Sequence, residues 1–164
     1  MKLATLEDLY VDQLRDMHSA EKQLTRALPA MAKAATSPDL AAAITEHLEE
    51  TRTHVQRLEK LLKSLDKSPG RKVCKAMQGL IEEGKELLDS DADEQVLDVG
   101  IIMAAQKVEH YEIASYGCLR AYAKLLERDD DAAILDETLD EEKSADDTLT
   151  DLATSSINHR AATT

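Results

Sequence analysis

The sequence predicts an all-α protein, an antiparallel four-helix bundle with one long crossover carrying an extra short helix. Three observations lead there. Ala, Leu, Glu, Lys and Asp dominate, whereas Phe and Trp are absent and only four Tyr occur, so helix formers abound and strand-favouring residues are scarce. Apolar residues recur at helical spacing through four long segments. The links inside the first and last pairs of segments are short, but the middle link is long.

The first segment, Leu6 to Ala34, sets Leu6, Tyr10, Leu14, Met17, Leu24, Leu28 and Met31 on one stripe. Pro29 predicts a kink near its end. Thr36-Ser37-Pro38-Asp39 breaks the helix. Ser37 can cap the next one, and Pro38 takes the first helical position, where a missing N–H costs nothing. The second helix, Pro38 to Leu65, uses Ile44, Leu48, Thr51, Val55, Leu58 and Leu62 and stops at Lys67-Ser68-Pro69-Gly70. A shorter helix follows from Val73 to Leu88, weakened by Gly79 and Gly84. The polar run Asp89 to Asp93 precedes a third long helix, Glu94 to Glu127. Asp129-Asp130-Asp131 signals a turn and N-cap before the fourth, Ala132 to Ile157. Residues 1–157 are thus expected to form one bundle domain and residues 158–164 a frayed tail. A single long crossover between two antiparallel hairpins is the plan of ferritin-like folds.

At 164 residues the chain is long enough for one continuous core, and a 43% apolar content excludes a disordered polymer. A net charge of −13 argues against nucleic acid as a partner, because no Lys/Arg cluster is present to displace counterions from phosphates. No apolar run suits a membrane span and no signal-peptide pattern opens the chain, so a cytoplasmic location is expected. Cys74 and Cys118 lack metal-ligand spacing and are too few for a disulfide framework.

The informative residues are those that interrupt the apolar stripes. Glu21 stands between Met17 and Leu24. The third helix reads Ile102, Ala105, Glu109, Glu112, Tyr116, Leu119, Ala123, and the fourth reads Leu135, Leu139, Glu142, Asp146, Leu149, Leu152. In the second helix Glu50 and His54 flank Thr51. Carboxylates are seldom buried unless paired or bound to metal. Glu21 and Glu50 lie at nearly equal distances from the first turn, as do Glu112 and Asp146 from the second. At ~1.5 Å rise per residue all seven side chains share the bundle's mid-level. A faint repeat supports two related hairpins: Glu49-Glu50 with His54 four beyond parallels Glu141-Glu142 with Asp146 four beyond.

Glu21, Glu50, His54, Glu109, Glu112, Glu142 and Asp146 are therefore the candidate ligands of a dinuclear metal site. Two trivalent ions would neutralise its six carboxylates, and oxygen-rich ligation with one imidazole favours two iron or manganese ions over zinc. The competing reading is a solvated polar layer or a salt-bridge network with Lys and Arg. His47, one turn before Glu50, is a further candidate. Tyr116 is placed to hydrogen-bond a ligand carboxylate or simply to pack. His18 is a minor candidate, His110 points off the stripe, and both cysteines read as structural thiols.

Several runs carry a resemblance: Ser19-Ala20-Glu21-Lys22-Gln23-Leu24, His47-Leu48-Glu49-Glu50-Thr51, Ala76-Met77-Gln78-Gly79-Leu80, Ala104-Ala105-Gln106-Lys107-Val108-Glu109-His110-Tyr111-Glu112 and Glu137-Thr138-Leu139-Asp140-Glu141-Glu142-Lys143. Over nearly its whole length the chain resembles the YciF/YciE-type bacterial stress proteins, within the ferritin-like superfamily. The resemblance implies a rubrerythrin-like bundle, a homodimer, and a link to stress responses with no assigned reaction. Ferritin-like sites usually place His three residues after the paired Glu. Here His54 follows Glu50 by four, and Asp146 stands in place of a second His. The function expected is a di-iron or di-manganese protein reacting with peroxide or oxygen. The alternatives are a non-enzymatic helical dimer with a vestigial acidic belt, and iron storage, which would need a closed cage.

Overall fold

A computed structural model describes residues 3–164. Its elements are α1 (Leu6–Ala34), α2 (Pro38–Ser64), α3 (Lys75–Leu88), α4 (Glu94–Leu125), α5 (Asp129–Leu152), a π-helical turn (Ala153–Ile157) and α6 (Asn158–Ala161). No helix among the described residues is long and apolar enough to cross a membrane.

Local chemistry sets most of the helix ends. Thr5 begins α1 with a capping box: its hydroxyl accepts from the Asp8 N–H while the Asp8 carboxylate accepts from the Thr5 N–H. Pro29 lies inside α1 without ending it. Ser37 caps α2, with Pro38 at the first helical position as its spacing predicts. Asp93 caps α4 by accepting from the Gln95 N–H at 2.9 Å. The helix α5 starts at Asp129, three residues earlier than the sequence suggests. Asp129, Asp130 and Asp131 are thus the first helical turn rather than a preceding loop, where carboxylates meet the positive end of the helix dipole. The carboxyl end also differs. Beyond Leu152 the helix widens into the π turn and continues as α6, so residues expected to fray form a further helical turn, and Thr164 donates to the Gln95 side chain.

The helices α1 and α2 form one antiparallel hairpin, and α4 and α5 form the other. Two contacts orient the pair. Asp98 at the start of α4 accepts from the Thr36 N–H, the Thr36 hydroxyl and the Ser37 N–H at the α1–α2 turn. Tyr10 near the start of α1 donates to Asp131 at the start of α5. Neighbouring long helices therefore all run antiparallel. The short α3 lies across α1 and α4, and Leu87 seats where Gly100 leaves room, since a Cβ there would come within 2.7 Å of it. Leu14, Met17, Leu24, Leu58, Leu61, Ile101, Leu119 and Leu135 fill the interior above and below the middle. Each contributes roughly 1.5–3 kcal/mol by leaving water. The middle layer itself is different in kind.

Candidate metal centre

Halfway along the bundle the apolar core gives way to Glu21, His47, Thr51, His54, Glu109, Glu112, Tyr116 and Glu142, all buried. Each helix supplies its share by helical spacing. On α2, His47, Thr51 and His54 fall at steps of four and three and share one face. On α4, Glu109, Glu112 and Tyr116 do the same. Glu21 of α1 and Glu142 of α5 complete the layer, and both are 0% exposed.

Two groups of donors result. In one, single donor atoms of His47, Glu109, Glu112 and Glu142 all lie within 4.8 Å of one another; in the other, those of Glu21, His54 and Glu142 do so. Glu142 belongs to both and joins them. His47 Nε2 is 3.4 Å from Glu109 Oε1 and 3.8 Å from Glu142 Oε2. His54 Nδ1 is 3.1 Å from Glu142 Oε1 and 3.5 Å from Glu21 Oε1.

Of the seven ligands expected from the sequence, Glu21, His54, Glu109, Glu112 and Glu142 meet in this layer, and Glu50 and Asp146 do not. The Glu50 side chain is 39% exposed and approaches the outer nitrogen of His47, with Oε2 3.3 Å from Nδ1. Asp146 lies on the outer side of the α4–α5 contact, where it accepts from Gln106 at 3.1 Å and pairs with the exposed His110 at 3.3 Å. Where the sequence placed Glu50, the structure places His47. Counting from the buried Thr51 shows why: His47 and His54 are four before and three after it, whereas Glu50 is its neighbour and points roughly 100° away. Tyr116 donates to Glu21 Oε1. His18 instead pairs with Glu59 at 3.1 Å, outside the layer. Both cysteines are free thiols, Cys74 buried and Cys118 exposed.

One residue that sequence reasoning passed over is Glu141. Its Oε2 is 2.8 Å from His54 Nε2, and Arg57 in turn holds Glu141 and, at 2.7 Å, Glu137. Both imidazoles thus share one arrangement: an outer carboxylate on one nitrogen and the inner carboxylates facing the other. The acidic pairs Glu49-Glu50 and Glu141-Glu142 were the available signal, with Glu142 facing in and Glu141 and Glu50 facing the imidazoles from outside.

The layer's electrostatics are dominated by burial. It raises Glu109 and Glu112 well above the ordinary carboxylate range, with neighbouring carboxylates adding to the rise, and brings Glu142 to about 7. Burial works against a charged His54, but Glu142 and Glu21 outweigh it and hold its pKa at about 11. His47 is raised by Glu109, Glu50 and Glu21 against the same opposition. Glu141 is lowered: burial opposes its charge, and Arg57 and His54 prevail.

Among the described residues, no lysine or arginine forms an ion pair with Glu21, Glu109, Glu112 or Glu142; of the cationic side chains only the two histidines approach them. Among the described residues, eight buried side-chain atoms make no hydrogen bond of good geometry, the two imidazole nitrogens meeting carboxylates only as ion pairs: Glu21 Oε2, His47 Nε2, His54 Nδ1, Glu109 Oε2, and both carboxylate oxygens of Glu112 and of Glu142. All eight belong to this one layer. An unsatisfied buried polar atom costs about 1–3 kcal/mol, so this concentration is compatible with a bound cation that accepts lone pairs. Carboxylate oxygens with two imidazole nitrogens suit hard or borderline cations such as iron and manganese.

An all-helical bundle with a shared carboxylate–histidine layer and an α3 crossover defines the class, and the chain belongs to the family described as domain of unknown function DUF892, which matches residues 5–162. It is 45% identical over 162 residues to the protein YciF of Escherichia coli K12, covering 98% of both chains. The crystal structure of that stress protein superposes with a TM-score of 0.91 at 46% identity, over 95% of this chain and 99% of that one. YcfI of Rhodopseudomonas palustris gives a TM-score of 0.88 at 45% identity, over 91% and 95% of the two chains. A Xanthomonas campestris protein, 23% identical, shares the fold at a TM-score of 0.74 over 96% and 98%. The chain is a YciF-type stress-protein homologue.

Proposed function

We propose that this protein binds a pair of iron or manganese ions at the mid-bundle layer and serves stress defence through that centre. The observation that carries the reading is one buried layer in which six carboxylate oxygens and two imidazole nitrogens make no hydrogen bond and no lysine or arginine among the described residues pairs with them. Glu109, Glu112 and His47 would hold one ion, Glu21 and His54 the other, with Glu142 between them. Two such ions supply redox chemistry toward peroxide or oxygen.

The chain's own residues prepare the site. Glu141, anchored by Arg57, engages His54 Nε2 and turns Nδ1 inward; Glu50 does the same for His47, turning Nε2 inward. The Tyr116 hydroxyl engages one oxygen of Glu21 and leaves the other free. Loading displaces the protons that the raised carboxylates and imidazoles otherwise retain. A homodimer forms part of the proposal, supported by Val96 and Met103, which are 47% and 54% exposed and seven residues apart on one face of α4. Elemental analysis of protein from cells supplied with iron and manganese is expected to find both ions. A Glu109→Ala, Glu142→Ala variant is expected to lose them, and full metal content in that variant would sink the assignment. Solution mass tests the dimer.

A further inference from the structure

We propose that a cleft between α2 and α5 is the route by which hydrated divalent cations reach the buried layer. The inference rests on the metal-binding reading above and adds its path and a residue that attracts the ion. The cleft has a volume of about 130 Å³, enough for several waters. At its mouth stand the exposed Glu46, Ser144 and Thr148. Its walls are Ala43 of α2 and Ala145 of α5, whose short side chains leave the opening that longer ones would fill. Its inner end reaches Glu50, His47 and Glu109.

Two of those inner residues are more than nine-tenths buried and carry a donor atom that makes no hydrogen bond: His47 Nε2 and Glu109 Oε2. The cleft therefore brings solvent up to the residues that carry the donors, whose donor atoms lie just beyond its inner end. Glu46 and Glu50 lie four apart on α2 and face the same way. They step the negative potential inward, from an exposed carboxylate through a half-exposed one to the buried Glu109. A cleft lined with one sign of charge between low-dielectric walls concentrates counter-ions and speeds their arrival. No lysine or arginine among the described residues lines it.

Rapid-mixing of the metal-free full chain with cobalt(II), followed by absorbance, tests this. Two variants outside the donor set are used: Ala145→Leu, which narrows the wall, and Glu46→Gln, which removes the outer charge. Both are expected to bind the same final amount of cobalt as the unaltered chain but more slowly. For Glu46→Gln the slowing is about threefold at low ionic strength and vanishes at high salt. Unchanged uptake in a folded Ala145→Leu overturns the route while leaving the metal reading intact. Should that variant not fold, an unchanged rate in Glu46→Gln overturns it. Failure of the unaltered chain to bind cobalt at all overturns the metal reading, and the route with it.

Discussion

Glu112 shows how a single residue reports purpose. It is fully buried, neither of its oxygens has a hydrogen-bond partner, and its acidity is suppressed by burial and by Glu142, Glu21 and Glu109. A side chain kept only for stability would not be chosen there. Glu112→Leu, of similar bulk, is expected to stabilise the metal-free protein by roughly 1–3 kcal/mol in urea unfolding while lowering metal content. A destabilised variant would mean that the carboxylate has a structural partner after all. Glu21, Glu109, Glu112 and Glu142 were legible from the sequence because each interrupts an apolar stripe. His47 is harder to read, because imidazole is common at half-buried positions and the stripe on α2 can be drawn through either Glu50 or His47. Only the packing of α2 against α1 and α5 decides between them. Asp146 misled for a related reason. Gln106 and the exposed His110 of α4 hold its carboxylate away from the inner layer.

At the scale of elements, helix starts were readable where a cap or proline sits and less so elsewhere. Ser37 and Pro38 mark α2 at the residues expected, whereas the three aspartates at 129–131 fit either a loop or a first helical turn, and burial of Asp131 beside Tyr10 and Arg128 selects the latter. The ends of α2 and α4 share a feature that the sequence did not announce. Asp66 and Glu127 adopt φ of 53° and 55°, left-handed conformations usually given to glycine. They close six-residue backbone bonds from the Lys67 N–H to the Leu62 carbonyl and from the Arg128 N–H to the Ala123 carbonyl. Glu127 is exposed and makes no side-chain hydrogen bond among those described. Glu127→Gly is therefore expected to raise unfolding free energy by about 1 kcal/mol, measurable by urea titration. A loss of stability would show that the extra flexibility of the unfolded glycine chain outweighs the relieved strain.

Across the whole molecule, the buried layer ties stability to pH. The folded chain holds protons on Glu142 up to about 7, and on Glu109 and Glu112 well above 4.5, the ordinary value at which all three titrate once unfolded. In that window the folded state binds more protons than the unfolded one, so stability falls as pH rises. His54 acts in the same sense: its contribution is complete below 6.5 and is lost as pH climbs toward about 11. The melting temperature of metal-free protein is expected to drop between about pH 5 and about pH 9, read by calorimetry, and to drop less once metal is bound. A melting temperature that rises over this range would contradict the arrangement of charges.

Both donor groups draw side chains from each hairpin: Glu21, His47 and His54 from one, Glu109, Glu112 and Glu142 from the other. On the proposed reading, a seated cation is a rivet through the seam between the two halves. Scarcity would leave that seam unfastened and easier to part, along the same α2–α5 boundary that carries the cleft. Coherence of the folded chain would then track supply, making the empty protein the readier of the two forms to capture an ion and the filled one the slower to let it go.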